Sequence, residues 1–153
     1  MGCEFYFAYG SNMDPARMAA RGMRTRMTFA AELAGWQLQF NKRSADFPGA
    51  GFANIVPARS VAVPGVLYQL AHADEIFRMD PYENWPVRYR RAIWPVLTQC
   101  GEKFETWVYI ANDQWQTDNL LPPRWYLNHL LAGRPWLPQD YYQQLRNNRC
   151  LPD

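Results

Sequence analysis

Two stretches of the chain carry residue types in an order that can do chemistry. In Tyr9-Gly10-Ser11-Asn12-Met13-Asp14-Pro15 a strand-like run ends at a glycine and passes directly into a helix start. Glycine reaches backbone angles closed to other residues, so successive amide N–H groups in such a turn can converge as an anion-binding nest. The helix start behind it adds partial positive charge, which favours a carboxylate or a phosphate. The same residues fit a plain tight turn in which Ser11 or Asn12 satisfies nearby backbone groups, and turn chemistry leaves both readings open. The second stretch is Asp80-Pro81-Tyr82-Glu83-Asn84-Trp85-Pro86, where Glu83 stands among aromatic rings and prolines. Desolvation in such surroundings raises a carboxyl pKa and makes Glu83 a usable proton acceptor near neutrality. Capping or solvation beside a loop would account for Asp80 and Glu83 equally well.

Other catalytic devices find little footing. Tyr9-Gly10-Ser11 lacks the second glycine of a nucleophile elbow, and neither a P-loop nor a dinucleotide fingerprint occurs. His72 and His129 stand apart from each other and from Cys3, Cys100 and Cys150, so no metal-ligand spacing is formed. Neither a metal nor an organic cofactor is expected. Tyr109 and Tyr126 can offer hydroxyls to a pocket. Positive charge gathers at Arg17, Arg21, Arg24 and Arg26 with helix-like spacing, and again at Arg88, Arg90 and Arg91 in a strand pattern. Each cluster reads as a solvated face or as help in holding an anionic small molecule. A net charge of +2 is too mild to point to nucleic acid.

These residues need a frame, and the pattern supplies one. Glu4–Tyr9 reads as a first strand, and Asp14-Pro15 caps and opens a short helix that Gly22 closes. Further strands are predicted over Thr25–Leu33, Trp36–Asn41, Phe52–Val56 and Val61–Leu70, the last interrupted by Pro64-Gly65. A short helix over Ala73–Met79 leads into the Glu83 stretch. A hairpin of Arg88–Thr98 and Lys103–Ala111 turns at Cys100-Gly101, and Pro95 within it demands an edge or a bulge. Helices follow over Arg124–Ala132, stopped by Gly133, and from Leu137-Pro138 to about Arg149. Strands dominate and rarely alternate with long helices, which predicts an α+β fold on a strongly curved or barrel-like sheet. The length of 153 residues predicts one domain, 1–153.

No apolar run approaches the ~18 residues of a membrane-spanning helix, so no membrane role is expected. Tyr6 stands where a myristoylation signal opening Met1-Gly2-Cys3 would need Ser or Thr, and no secretory pattern precedes the first strand. Three cysteines without short spacing fit a reducing compartment, and the expectation is cytoplasm.

Taken together, Tyr6-Phe7-Ala8-Tyr9-Gly10-Ser11-Asn12-Met13 and the later pair Asp80 and Glu83 resemble the gamma-glutamylcyclotransferase family. Between them, Gly51-Phe52-Ala53-Asn54-Ile55-Val56-Pro57 and Val63-Pro64-Gly65-Val66-Leu67-Tyr68 are similar to its next two blocks. Tyr89-Arg90, Val108-Tyr109-Ile110, the helix start at Pro123 to Tyr126, Gly133 and Leu137-Pro138 then follow in the family's order. The resemblance implies a small mixed β-barrel with flanking helices and a pocket at one end. It implies intramolecular aminolysis of a small-molecule γ-glutamyl substrate, giving 5-oxoproline and a free amino acid or amine, with glutathione metabolism as a setting. Glu83 matches the catalytic general acid/base of that family. Tyr6, Phe7, Ala8, Tyr9, Gly10, Ser11 and Asn12 match its substrate-binding loop, and Tyr126 a substrate-contacting tyrosine. Asn84 follows Glu83 where many members carry Gly, so the local backbone hangs on that position. A non-catalytic module binding an acidic small metabolite is the alternative reading.

Overall fold

Five strands close into a barrel in the computed structural model, which describes residues 2–152. They are β1 (Phe5–Ala8), β2 (Thr25–Arg43), β3 (Gly51–Leu70), β4 (Tyr89–Thr98) and β5 (Lys103–Ala111), in the spatial order β1-β3-β2-β4-β5. Four α-helices flank it: α1 (Pro15–Ala20), α2 (Ile76–Met79), α3 (Arg124–Leu131) and α4 (Gln139–Arg146). The predicted α+β class and barrel are what the chain forms. All pairings are antiparallel except β1 with β5, which close the ring in parallel through Tyr6 and Trp107. The sheet is therefore mixed.

The four central strands expected between Thr25 and Leu70 are two long ones. β2 and β3 pair antiparallel from Thr25↔Leu70 to Arg43↔Gly51. Gly35 (φ +85°) and Ser60 (φ +64°) absorb the irregularity between Ala34 and Trp36 that local propensity marks as a break. Bulges of this kind bend a strand without ending it, which is how one ribbon curls into a small barrel. Pro64-Gly65 does not interrupt β3 either, since both stay in register with β2. A Cβ on Gly65 would stand 2.4 Å from the Ala8 carbonyl oxygen, so glycine lets β1 lie close against β3. Pro95 pairs with Glu105 on β5, while β4 meets β2 only at Leu97 and Thr98. Its other side is thus an edge, where a missing N–H costs nothing.

The core fills the barrel and the seam beneath α3. Phe7, Val66, Leu67, Leu70, Val108, Leu127 and Leu130 are fully buried, each stabilising the fold by roughly 1.5–3 kcal/mol relative to exposure. Local signals hold at the helix ends. The Asp14 carboxylate accepts from the Ala16 N–H at 3.0 Å, Pro15 opens α1, and Gly22 leaves it at φ +77°. The short helix expected over Ala73–Met79 splits into a 3-10 turn (Ala73–Glu75) and α2, and the last helix ends at Arg146 rather than Arg149. Among the described residues, no helix is long and apolar enough to cross a membrane.

Candidate active site

β1 ends at Ala8, and the chain turns through Tyr9 and Gly10 into a 3-10 turn, Ser11–Met13. A second 3-10 turn, Asp80–Glu83, faces it. Between them lies a cavity of about 160 Å³. Its wall combines Gly10, Ser11 and Asn12 with Arg17 of α1, Arg21 just past the end of that helix, Lys42 of β2, Phe52 and Ala53 of β3, and Glu83. Tyr89, Tyr109 and Tyr126 complete it from β4, β5 and α3. A larger open groove of about 790 Å³ runs along β2 and α4 but holds none of the sequence-predicted site residues.

Asn12 ties the two turns together. It is almost fully buried, and its Nδ2 donates to Tyr6 Oη (2.9 Å) and to Glu83 Oε1 (3.3 Å). Its Oδ1 accepts from Arg21 Nη1 at 3.0 Å, and its backbone carbonyl accepts from Tyr68 Oη at 2.6 Å. Arg17 Nε donates to Ser11 Oγ at 3.0 Å. The internal hydrogen bonds of the turn begin with Met13 N–H to the Gly10 carbonyl, 3.0 Å. The N–H groups of the residues before it therefore have no partner within the turn. Gly10 itself adopts φ −114°, not a left-handed angle. Its requirement is space: a Cβ there would stand 3.0 Å from Ala53 Cβ and 3.2 Å from Tyr126 Oη.

Glu83 is half-buried at the cavity wall. Desolvation pushes its carboxyl above the ordinary range, opposed by the charges of Arg21, Lys42 and Arg17 and by the Asn12 amide. Asn84, next in the chain, sits at φ +50°, ψ +41°. Asparagine enters that left-handed region more readily than most residues, so it keeps the geometry a glycine would give. Its carbonyl then accepts from the N–H groups of Val87 and Arg88, both at 2.9 Å. Burial keeps the surrounding phenols neutral. Those of Tyr6, Tyr9 and Tyr89 lie well above their usual pKa, and that of Tyr126 is pushed up to about 12.

Residues 6–128 match the profile of the family described as gamma-glutamyl cyclotransferase, AIG2-like. The chain belongs to this family. A solved structure titled gamma-glutamyl cyclotransferase superposes with a TM-score of 0.82 at 20% identity, covering 97% of this chain and 89% of that one. An uncharacterized human protein gives a TM-score of 0.84 at 22% identity, with the same 97% and 89% coverage. A yeast gamma-glutamyl cyclotransferase titled as specific to glutathione gives 0.66 at 14% identity, over 92% of this chain and 93% of that one. At these identities the likeness is one of fold. No curated protein matches the sequence.

In this member of the gamma-glutamyl cyclotransferase family, the fold gathers most of the predicted residues around the same cavity. Tyr6, Tyr9, Gly10, Ser11, Asn12, Glu83 and Tyr126 all line the one cavity. Phe7 and Ala8 do not. Both are fully buried in β1, paired with Leu67 and Val66, and their side chains serve the core. Alternation along β1 turns Phe7 away from the face of Tyr6, whereas Ala8 shares that face but is sealed in the core. Tyr126 holds the wall: its Oη accepts from the Ala53 N–H at 3.0 Å, and Tyr89 Oη donates to the Ala53 carbonyl at 2.7 Å.

The arginine clusters divide. Arg17 of α1 and Arg21, which caps its C-terminal end, face the cavity, whereas Arg24 pairs with Glu75 (3.2 Å) and Arg26 Nη2 donates to the Ala71 carbonyl (2.8 Å). Arg88 lines the cavity, Arg90 donates to the Ala111 carbonyl (3.2 Å), and Arg91 pairs with Asp80. Sequence reasoning missed Lys42 altogether. It stands beside a polar loop, where a lysine normally reads as solvated. Between Gln39 and Lys42 the register shifts, so that Phe40 and Asn41 face the single residue Ala53. Such a bulge re-aims the side chains around it and leaves no local mark.

Proposed function

We propose that the protein cyclises the γ-glutamyl group of a small-molecule donor, releasing 5-oxoproline and an amino acid or amine, with Glu83 as general acid/base. The observation that carries this reading is Glu83 itself: a carboxylate with a raised pKa at the wall of a small cavity, joined through Asn12 to the Gly10 turn. A base near neutrality is what the reaction needs, because the α-ammonium of the substrate must lose a proton before it can attack. Glu83 takes that proton. The freed amine adds to the γ-carbonyl carbon, a five-membered ring forms, and the C–N bond to the leaving group breaks. Glu83 then returns the proton to the departing nitrogen, takes the second proton that the ring nitrogen sheds to become a neutral lactam, and passes it to the released amine, which leaves as an ammonium. Charge and atoms balance without water.

The rest of the wall suits this path. Nucleophile and carbonyl belong to one molecule, so holding the glutamyl chain in a folded conformation captures effective molarities of ~10⁵–10⁸ M. Arg17, Arg21 and the N–H groups of the Gly10–Asn12 turn offer partners to the glutamyl α-carboxylate. Glu83 lies within the charge field of both arginines, which favours a substrate presenting its carboxylate and its amine together.

The test is the fate of oxygen from water. Turnover of a γ-glutamyl dipeptide in ¹⁸O-labelled water should give unlabelled 5-oxoproline by mass spectrometry, and acetylating the substrate's α-amine should abolish reaction. A β-aspartyl analogue, which would have to close a four-membered ring, should not react. Labelled glutamate as product would make the protein a hydrolase and overturn the proposal. Binding of the dipeptide without any product would favour the non-catalytic reading.

A further inference from the structure

Lys42 is a buried cation that the proposed reaction does not employ. It is 4% exposed at the end of β2 and lines the cavity. Its Nζ lies 5.2 Å from the ring centroid of Trp115, 5.4 Å from Phe52 and 5.7 Å from Tyr89. The ion pairs among the described residues are Arg24–Glu75, Arg78–Glu75, Arg91–Asp80 and His129–Asp14, so no carboxylate stands within 4.0 Å of Nζ. An ammonium carries three N–H donors, and aromatic faces satisfy its charge but only weakly its hydrogen-bonding capacity. Burial beside Arg88 pulls its pKa down to about 8, so the site holds positive charge at a cost.

Arg88 strengthens the case. Its guanidinium carbon lies 4.5 Å from the same Trp115 ring, and it too has no ion pair among the described residues. With Arg17 and Arg21 at the α1 side, four cations among the described residues line the cavity against the one carboxylate of Glu83. The glutamyl group brings one carboxylate of its own, which Arg17, Arg21 and the Gly10 turn already suit. Lys42 and Arg88, entering from β2 and the chain just before β4, remain without an ion pair among the described residues.

We infer that Lys42, with Arg88 beside it, receives a carboxylate on the leaving group, so that the donors are γ-glutamyl α-amino acids rather than γ-glutamylamines. This rests on the cyclisation proposed above. In such a donor the leaving nitrogen and the second carboxylate are separated by one carbon, so a cation near the leaving-group end of the cavity reads the carboxylate directly. A γ-glutamylamine offers nothing to replace the water that Lys42 would lose on substrate binding.

The test compares γ-glutamylalanine with γ-glutamylethylamide, which keeps the leaving nitrogen and carbon skeleton but lacks the carboxylate. The wild type should favour the dipeptide about tenfold to hundredfold in kcat/KM, the range of a hydrogen bond to a charged group. Lys42→Met, similar in length and uncharged, should bring that ratio close to one, and Arg88→Gln should lower it in part. Thermal melts establish that each variant is folded, and the ratio is a quantity that a merely structural role would not move. Calorimetric binding of the two compounds to the wild type and to both variants runs alongside. A dipeptide preference that persists in Lys42→Met and Arg88→Gln, or its absence from the wild type, overturns the inference even if both donors are cyclised. If neither donor yields 5-oxoproline but the dipeptide binds more tightly in a Lys42-dependent way, the cyclisation proposal fails and the carboxylate site stands.

Discussion

Asp80 and Glu83 lie three residues apart on one 3-10 turn, and the fold treats them in opposite ways. Asp80 is buried and saturated. Arg91 grips it with two hydrogen bonds, 2.8 Å to Oδ1 and 3.0 Å to Oδ2, and Tyr109 Oη donates to Oδ1 at 2.6 Å. Among the described residues Glu83 has one side-chain hydrogen bond, from Asn12 at 3.3 Å, and it opens on the cavity. The difference separates structural from chemical carboxylates. A group whose lone pairs are filled by the protein has no capacity left for a substrate, and displacing its partners would uncover a buried charge. A desolvated group left short of hydrogen bonds can accept a proton at modest cost, even against the pull of nearby cations. Asp80 anchors the turn to β4 and β5 so that Glu83 can remain under-satisfied.

The comparison breaks most visibly at Glu83. Glu83→Gln keeps the shape and removes the proton acceptor, so turnover of a γ-glutamyl donor should fall ~10²–10⁴-fold with the protein still folded. Steady-state kinetics with a circular dichroism spectrum checks both halves, and an unchanged rate would exclude Glu83 as the base. Asp80→Asn acts on the other carboxylate and should show itself in stability instead. Removing one partner of a buried pair costs about 3–5 kcal/mol, which urea unfolding would resolve. A variant as stable as the parent would mean that Arg91 finds another partner.

Smaller changes sharpen the contrast. Tyr109→Phe deletes one donor to the buried Asp80 carboxylate and should cost about 1.5–3 kcal/mol. Tyr109 also lines the cavity, so a loss confined to KM with stability intact would move it from the structural set to the binding set. The smallest effect is a pH dependence. Because folding raises the Glu83 pKa, the native state binds that proton more tightly than the unfolded chain does. Native stability therefore falls as pH rises from the unfolded carboxyl range of about 4 through the higher folded value. Glu83→Gln lacks this penalty and should melt a few degrees above the wild type at neutral pH, the gap closing in acid. Matched melting curves across that range would refute the assignment if the gap were flat or reversed.

Local chemistry was legible in the chain. The Asp14-Pro15 cap, the Gly22 stop, the hairpin at Gly101 and the strand leading into Gly10 are decisions between near neighbours, and the structure forms each of them. The α+β class followed from the ratio and order of such elements. Glu83 stood out because desolvating residues flank it in sequence as well as in space. Local propensity nonetheless cut β2 and β3 where the chain bends, since a bulge and a chain break share the same residue types. The family resemblance takes Phe7 and Ala8 with the rest of the Tyr6–Asn12 loop, because a motif does not say which of its residues reach the cavity. Which charges meet was decided by the tertiary structure alone. Arg17 and Arg21 divide from Arg24 and Arg26 through the docking of α1, and Lys42 enters the cavity through a register shift against β3. Charge placement depends on contacts between residues far apart in the chain, and only the closed barrel brings those residues within range of one another.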